Sequence, residues 1–247
     1  MIVVIRKNIF ILLIFLIILM LAFCLNRFAI MQVLKITNAS KVVIDPGHGG
    51  IDGGAVAKDG TLESHINLDI SFKLKQLFED NEWDVVMTRE EDAGLYSNEG
   101  TIRSKKMQDL INRKQIIERE NPDFVIIIHL NSFPDDACFG AQTFYPSKSE
   151  DSEVLAKEIQ SMFLQKINDG NRREIKEKSD ILLLKNTKVP TVLIECGFLS
   201  NPREAELLKQ ESYQYLIAQC IYDGLLRYCE VTNNPPRKGI RYIVNRE

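Results

Sequence analysis

Three ionisable residues stand where an apolar run of the sequence ends. His48 lies in the glycine-rich stretch Lys41 to Val56, just after a short β-branched run. His129 follows five consecutive apolar residues, and Glu195 ends the apolar run that begins at Thr191. An ionisable group at the end of a buried strand is costly unless it is used, so His129 and Glu195 predict a functional site, whereas His48 taken alone is also compatible with a turn residue among glycines.

A metal ion is the ligand that these residue types favour. Glu63 begins the helix predicted after the first loop, and its carboxylate is expected to face the same rim as His48 and His129. Two imidazoles and one carboxylate leave a coordination position open for water, which is the pattern of catalytic zinc. Glu195 can then serve as the base beside the metal. A phosphate-binding loop is disfavoured, because the glycines do not give GxGxxG from Gly47 and no lysine follows them.

Two neighbouring residues compete for the same roles. His65 lies two positions after Glu63 on the predicted helix and points about 200° around its axis, so only one of them can bind the metal. We favour Glu63 as the ligand. Cys196 follows Glu195 on a strand and faces the opposite side of the sheet, which predicts a core residue rather than a nucleophile.

Strands and helices alternate along the chain and must position these residues. The pattern predicts a single α/β domain with a mostly parallel, twisted sheet of about six strands flanked by helices. Ligands of such sheets bind outside the carboxyl ends of the strands. The predicted strands are 42–44, 84–88, 124–132, 141–146, 181–185 and 191–196, and the predicted helices are 62–80, 104–120, 150–167 and 213–228.

The composition is ordinary for one globular domain. The chain has 247 residues, of which 45% are hydrophobic and 26% are charged, and its formal net charge is -3. It therefore offers no basic footprint for nucleic acid. The five cysteines form no CxxC pair, which excludes a zinc finger, and we expect most of them to be buried free thiols.

The amino terminus carries an apolar segment, Ile9 to Leu25, preceded by Arg6 and Lys7. Its length and flanking charges predict an uncleaved signal anchor, a transmembrane helix that starts in the cytoplasm and leaves the catalytic part outside the membrane. The predicted division is an anchor at 1–28, a linker at 29–40, a catalytic domain at 41–229 and a basic tail at 230–247.

The chain resembles a known family in three motifs. They are IDPGHGGIDGGA with Glu63, IIIHLNS with His129, and VLIECGFLSNPREAELL with Glu195. In order and spacing they are similar to those of the zinc-dependent N-acetylmuramoyl-L-alanine amidases of bacterial cell walls, from about Lys41 to Tyr228. Within that family, the short chain without a wall-binding module is most similar to the germination-specific amidases of endospore-forming bacteria.

The resemblance implies an enzyme that hydrolyses the amide between the lactyl group of N-acetylmuramic acid and L-alanine in peptidoglycan. It implies one zinc ion bound by His48, Glu63 and His129, with Glu195 as the catalytic acid/base. In spores, such an enzyme removes stem peptides from cortex glycan on the way to muramic δ-lactam, which germination needs. The expected location is membrane-anchored, facing the cell wall or the spore intermembrane space.

Two further residues are predicted to line the substrate pocket. Asn131 lies two positions after His129, on the same side of its strand, and Arg89 ends the second predicted strand. The sixty-five residues between His129 and Glu195 are taken up by ordinary elements, so we expect an open site without an inserted plug. Control would then come from the timing of expression or from an accessory or activating protein.

Two other functions remain open at this point. A zinc carboxypeptidase acting on stem peptides would need a basic residue to hold the terminal carboxylate, and Arg89 or Arg103 is available. A non-catalytic wall-binding protein is the second alternative, and the presence of Glu195 argues against it. Reaction products separate the first alternative from the amidase, because a carboxypeptidase releases single amino acids.

Overall fold

The computed structural model describes residues 13–26, 39–167 and 170–236. The chain divides into two compact units, Met1–Ala39 and Ser40–Glu247. All named strands lie in the second unit. Much of the predicted linker and most of the predicted tail, residues 27–38 and 237–247, lie outside the described residues, and the predicted division of the chain stays a prediction.

The predicted membrane-anchored location is corrected by the structure. Among the described residues, no helix is long and apolar enough to cross a membrane. Of the described residues near the amino terminus, 13–26 are helical. The start of the predicted segment falls in residues 1–12, outside the described residues.

One six-stranded sheet forms the centre of the second unit, in the order β2-β1-β3-β6-β4-β5. Strands β1, β2, β3 and β6 are mutually parallel, and only β4 pairs antiparallel, with β6. This confirms the predicted α/β fold with a mostly parallel sheet. The strands are β1 Lys41–Pro46, β2 Asp84–Met87, β3 Phe124–Asn131, β4 Gln142–Tyr145, β5 Lys176–Glu177 and β6 Thr191–Phe198.

Helices cover both faces of the sheet. The four predicted helices are present, with bounds that differ from the predictions by three residues or fewer, and one further short helix was missed. The helices are α1 Glu63–Asp80, α2 Ile102–Glu120, α3 Glu150–Lys166, α4 Pro202–Leu208 and α5 Glu211–Val231.

The predicted strand at 181–185 is wrong. Leu182–Leu184 form a short 3-10 helix instead, and β5 lies earlier in the chain. Leu183 and Leu184 are buried against the sheet, in one cluster with Val43 and Leu193. A short apolar run is equally compatible with a buried strand and a buried helical turn, so its pattern could not separate the two.

The two faces of the sheet bury alternate residues of the same strands. Val42 and Ile44 of β1 pack with α1, α3 and α5, while Val43 packs on the other face with α2 and the 3-10 helix. Burial on both faces explains why the central strands are apolar without alternation. It leaves the carboxyl ends of β1, β3 and β6 side by side at one edge of the sheet.

The connection from β3 to β4, residues 132–141, passes over the end of β6, because β6 lies between those two strands. Three hydrogen bonds link this connection to the segment that follows β6. The backbone N–H of Phe133 donates to Ser200 Oγ at 3.0 Å, and that of Gly140 donates to Glu204 Oε2 at 3.1 Å. Asn201 Nδ2 donates to the Asp136 carbonyl at 2.8 Å.

All five cysteines are free, and three of them are buried, as predicted for most of them. Burial raises the pKa of the Cys220 and Cys229 thiols to about 12 and raises that of Cys196 well above its usual value. Cys24 is exposed and Cys138 is partly exposed. The thiolate is the reactive form, so the three buried thiols stay inert at neutral pH.

We therefore predict that a thiol reagent at pH 8 labels two cysteines of the native chain, Cys24 and Cys138. The other three should react only after denaturation, because their raised pKa values keep them protonated well above pH 8. Counting labels by mass spectrometry before and after denaturation tests this. Rapid labelling of Cys196 in the native protein would contradict it.

Candidate metal centre at the carboxyl edge of the sheet

The structure brings His48, Glu63 and His129 together, and their ligand atoms all lie within 4.8 Å of one another. Glu63 Oε1 stands between the imidazoles, 3.3 Å from His48 Nε2 and 3.0 Å from His129 Nδ1. Two ligands bound at about 2.1 Å to a tetrahedral ion lie roughly 3.4 Å apart, so the spacing and the chemistry of this donor set fit a metal ion.

Close backbone approach makes this arrangement possible. His48 adopts a left-handed conformation with φ of 63°, which turns the loop after β1 back over the sheet edge. A Cβ at Gly47 would lie 2.4 Å from the His129 ring, and one at Gly54 would lie 2.6 Å from Glu63 Oε2. Side chains at these two glycines would therefore occupy the space that the His48–Glu63–His129 cluster uses.

The Glu63 carboxylate is buried and fully engaged. Its Oε2 accepts from the Ala55 N–H at 2.8 Å, and its Oε1 accepts from the Leu130 N–H at 2.9 Å. Burial disfavours its charged form, but the hydrogen bonds with His129 and His48 outweigh this and hold the pKa of Glu63 well below its usual range. The carboxylate is thus in the ionised form that a metal ligand needs.

Asp52 orients His48 from the other side of the ring. Its Oδ2 lies 3.0 Å from His48 Nδ1, and Lys106 Nζ of α2 donates to its Oδ1 at 2.7 Å. Burial lowers the pKa of His48, but the hydrogen bonds with Asp52 and Glu63 raise it to about 9. A carboxylate on the second nitrogen fixes the tautomer of a ligating imidazole and leaves Nε2 facing Glu63.

Glu195 lies beside the cluster on β6, in register with His129 on β3. Neighbouring strands are about 4.8 Å apart, and residues in register share a face of the sheet, so Glu195 lies next to the His129 side chain. Its Oε2 is buried and accepts no hydrogen bond among the described residues. Burial raises the pKa of Glu195, although His129 opposes the shift.

A register shift follows immediately. His129 pairs with Glu195, but Asn131 pairs with Phe198, so β6 carries one residue more than β3 over this step. Such a bulge bends the strand and re-aims its side chains, and it falls between Glu195 and the end of β6. It is the kind of irregularity that concentrates next to functional sites.

Two other predicted site residues lie nearby, in different settings. Asn131 is partly exposed at the end of β3. Arg89 is buried, and its guanidinium donates to backbone carbonyls of Pro46, Gly47, Ser64 and Glu91. The predicted substrate contact of Asn131 and Arg89 stays a prediction.

The two residues that the sequence analysis rejected as a metal ligand and a nucleophile, His65 and Cys196, face the directions that it predicted. His65 points away from the cluster and pairs with Asp92, with His65 Nε2 3.0 Å from Asp92 Oδ2. Cys196 is buried in the core on the opposite face of the sheet.

Sequence reasoning missed two residues of the site, Asp52 and Arg113. Asp52 carries a usable signal, since a carboxylate four residues after a histidine in a glycine-rich turn can reach back to the ring. Arg113 lies in the middle of an ordinary polar helix, sixty-five positions from His48, and no local pattern separates it from the solvent-exposed charges of α2.

An open α/β sheet with a His–Glu–His cluster at its carboxyl edge, and a buried carboxylate beside it, has the donor set and the setting of a hydrolase site that could hold a metal ion. Comparison with known families makes this specific. Residues 42–227 match the Amidase_3 family, N-acetylmuramoyl-L-alanine amidase, and the chain belongs to that family. It is accordingly an enzyme that acts on the bond between N-acetylmuramic acid and L-alanine.

One relative and two solved structures illustrate the similarity. The germination-specific N-acetylmuramoyl-L-alanine amidase of Bacillus subtilis is 39% identical over 79% of this chain and 82% of its own length. The CwlD amidase of Clostridioides difficile, solved in complex with the GerS lipoprotein, is 46% identical, with a TM-score of 0.76 over 78% of this chain and 99% of that one. An N-acetylmuramoyl-L-alanine amidase of Clostridium difficile 630 is 32% identical, with a TM-score of 0.68 over 78% of this chain and 98% of that one.

We predict that Asp52→Ala lowers the affinity of the protein for Zn²⁺ by about 10- to 100-fold, because His48 loses the carboxylate that orients its ring. Competition with a fluorescent chelator measures the affinity. Asp59→Ala is the matched control, since it removes an exposed carboxylate of the same loop that pairs with Lys209. Equal affinities of the Asp52 variant and the wild type would show that Asp52 does not support the site.

Proposed function

We propose that this amidase is zinc-dependent, with His48, Glu63 and His129 as the metal ligands and Glu195 as the acid/base. The observation that carries the proposal is the His48–Glu63–His129 cluster itself, because its donor atoms have the spacing and the His₂Glu composition of a catalytic zinc site that keeps one position open. Similarity to a germination-specific amidase supports a role in spore germination.

A zinc ion in this site would supply a Lewis acid and lower the pKa of a bound water to about 7. The residues of the chain supply the rest. Glu63 and the two imidazoles hold the ion, and the neutral form of each imidazole is the one that binds. Asp52 would hold the His48 ring in the orientation in which Nε2 faces the ion.

Glu195 moves the proton. It takes a proton from the water that attacks the lactyl carbonyl carbon, and it returns that proton to the alanine nitrogen as the carbon–nitrogen bond breaks. Burial raises its pKa, which makes the carboxylate a stronger base than an exposed glutamate. Its position in register with His129 puts it next to the ligand cluster, where the carbonyl carbon must be bound.

The substrate is a stem peptide attached to glycan, and in spores the proposed product is cortex glycan prepared for muramic δ-lactam. Asn131 is proposed to contact this substrate from the end of β3. His48 and His129 keep 24% and 22% of their side chains exposed, so the cluster is reachable from solvent in the absence of any other chain. This fits a site that no inserted segment covers.

The test is digestion of purified peptidoglycan by the chain, with and without Zn²⁺, and with products identified by mass spectrometry. We expect intact stem peptides that start at L-alanine, released only when Zn²⁺ is present. Glu195→Gln should lower turnover by about 10²- to 10⁴-fold, the usual contribution of a general acid/base, without loss of bound zinc. Release of single amino acids would instead establish the carboxypeptidase.

Two histidine variants provide the controls for this experiment. His129→Ala should lose zinc, which elemental analysis detects, because it removes one of three protein ligands. His65→Ala should keep both zinc and activity, since His65 is exposed and pairs with Asp92 outside the cluster. An active Glu195→Gln variant would remove Glu195 from the mechanism.

We further propose that an accessory protein controls this open site. The CwlD amidase was solved in complex with a lipoprotein, and that relative shares 46% of its sequence with this chain. We expect the GerS lipoprotein, added at equimolar concentration, to raise the rate at which the purified chain with Zn²⁺ releases stem peptides from denuded glycan. Full activity of the chain alone would reject control by a partner.

A further inference from the structure

Two buried arginines hold the loop that carries His48. Arg113 on α2 donates from Nη2 to the His48 carbonyl at 2.6 Å and from Nη1 to the Pro46 carbonyl at 2.6 Å. Arg89, just after β2, donates from Nε to the Pro46 carbonyl at 2.9 Å and from Nη2 to the Gly47 carbonyl at 3.0 Å. Three consecutive carbonyls of the loop are therefore bound by guanidinium groups.

Arg89 also connects this loop to the second ligand. Its Nη2 donates to the Ser64 carbonyl at 2.8 Å, and Ser64 follows Glu63 at the start of α1. One guanidinium thus bridges the backbone beside His48 and the backbone beside Glu63. The relative position of two ligands, which come from different elements, is set partly by this contact.

The charge of Arg113 is compensated by two carboxylates. Arg113 pairs with Asp45 at 3.0 Å and with Asp109 at 2.7 Å, and Asp45 also accepts from the Thr88 hydroxyl. Arg113 is 1% exposed and Arg89 is 4% exposed. Neither arginine is a ligand in the cluster, and the proposed mechanism gives neither a role.

Buried charged side chains of this kind add little to the stability of a fold. Taking charged side chains out of water costs about as much as their pairing returns, so buried ion pairs often stabilise less than apolar residues of the same size. A role in fixing one backbone conformation explains the arrangement better. The conformation to be fixed is that of His48, whose φ of 63° is unusual for a residue with a side chain.

We propose that Arg113 and Arg89 are positioning residues that pre-organise His48 and Glu63 for the metal ion. The planar guanidinium is needed because it presents several donors in one rigid fork, and a lysine cannot satisfy the same set of carbonyls. The inference rests on the proposed zinc-dependent function and extends it to residues that are not themselves metal ligands.

The experiment compares Arg113→Lys with the wild-type chain by two measurements on the folded protein. Zn²⁺ affinity from chelator competition should fall at least about tenfold, the lower range seen when the supports of metal ligands are removed. The visible absorption of the Co²⁺-loaded protein, which reports coordination geometry, should change. A stabilising role alone would lower the unfolding temperature and leave both readouts unchanged.

Three variants serve as controls or alternatives. Arg119→Lys makes the same substitution on the same helix, at a side chain that is 70% exposed. Ile117→Ala destabilises the packing of α2 against the sheet without touching the loop, so it shows what loss of stability alone does to Zn²⁺ affinity. If Arg113→Lys does not fold, Arg89→Lys tests the same proposal through Gly47 and Ser64.

The outcomes are separable. Reduced affinity and an altered Co²⁺ spectrum in the arginine variants, with Ile117→Ala unaffected in both, would support the proposal. Wild-type affinity and spectrum in Arg113→Lys and Arg89→Lys would overturn it while leaving the zinc-dependent function intact. Failure of the wild-type chain to bind Zn²⁺ would overturn the proposed function and this inference together.

Discussion

The Glu63 carboxylate, held between two imidazoles in a buried position, is the interaction on which the site depends. A negative charge with 3% of its side chain exposed must be compensated, and His48, His129 and two backbone N–H groups do this. Those partners belong to two segments that are far apart in the sequence, the loop after β1 and the end of β3. One buried charge therefore forces the loop after β1, the start of α1 and the end of β3 to meet.

The positions of the elements follow from the need to satisfy that charge. The sheet buries both faces of β1, β3 and β6, so polar side chains can reach water only at the strand ends. His129 and Glu195 stand at those ends in matching register. The extra residue of β6 after Glu195 then separates the end of the strand from Glu195, the proposed acid/base.

Much of this could be predicted from the sequence, because long apolar runs are strong signals for buried strands. The mostly parallel sheet follows from the alternation of strands and helices, and the His48–Glu63–His129 cluster and the choice of Glu63 over His65 follow from strand ends and helical geometry. The Leu182–Leu184 turn could not be predicted, since its burial comes from tertiary packing and not from a local pattern. Helix α4 was missed as well, because a seven-residue helix shows little periodicity.

The residues that support the proposed metal ligands were hardest to predict, because their contacts also depend on tertiary structure. Asp52 and Arg113 act through hydrogen bonds to atoms of His48, and those bonds exist only after the chain has folded. The predicted amino-terminal membrane span is corrected by a different finding, since no helix among the described residues is long and apolar enough to cross a membrane.

The path from β3 to β4 has a consequence for how such an enzyme can diversify. Because β4 runs antiparallel to β6, the chain must cross over the end of β6 to enter it, directly beside Glu195. Residues added to this crossing would sit above the catalytic edge without disturbing a single strand pairing. Breadth of substrate access can thus be tuned by the length of one surface connection, while the sheet that holds the chemistry stays the same.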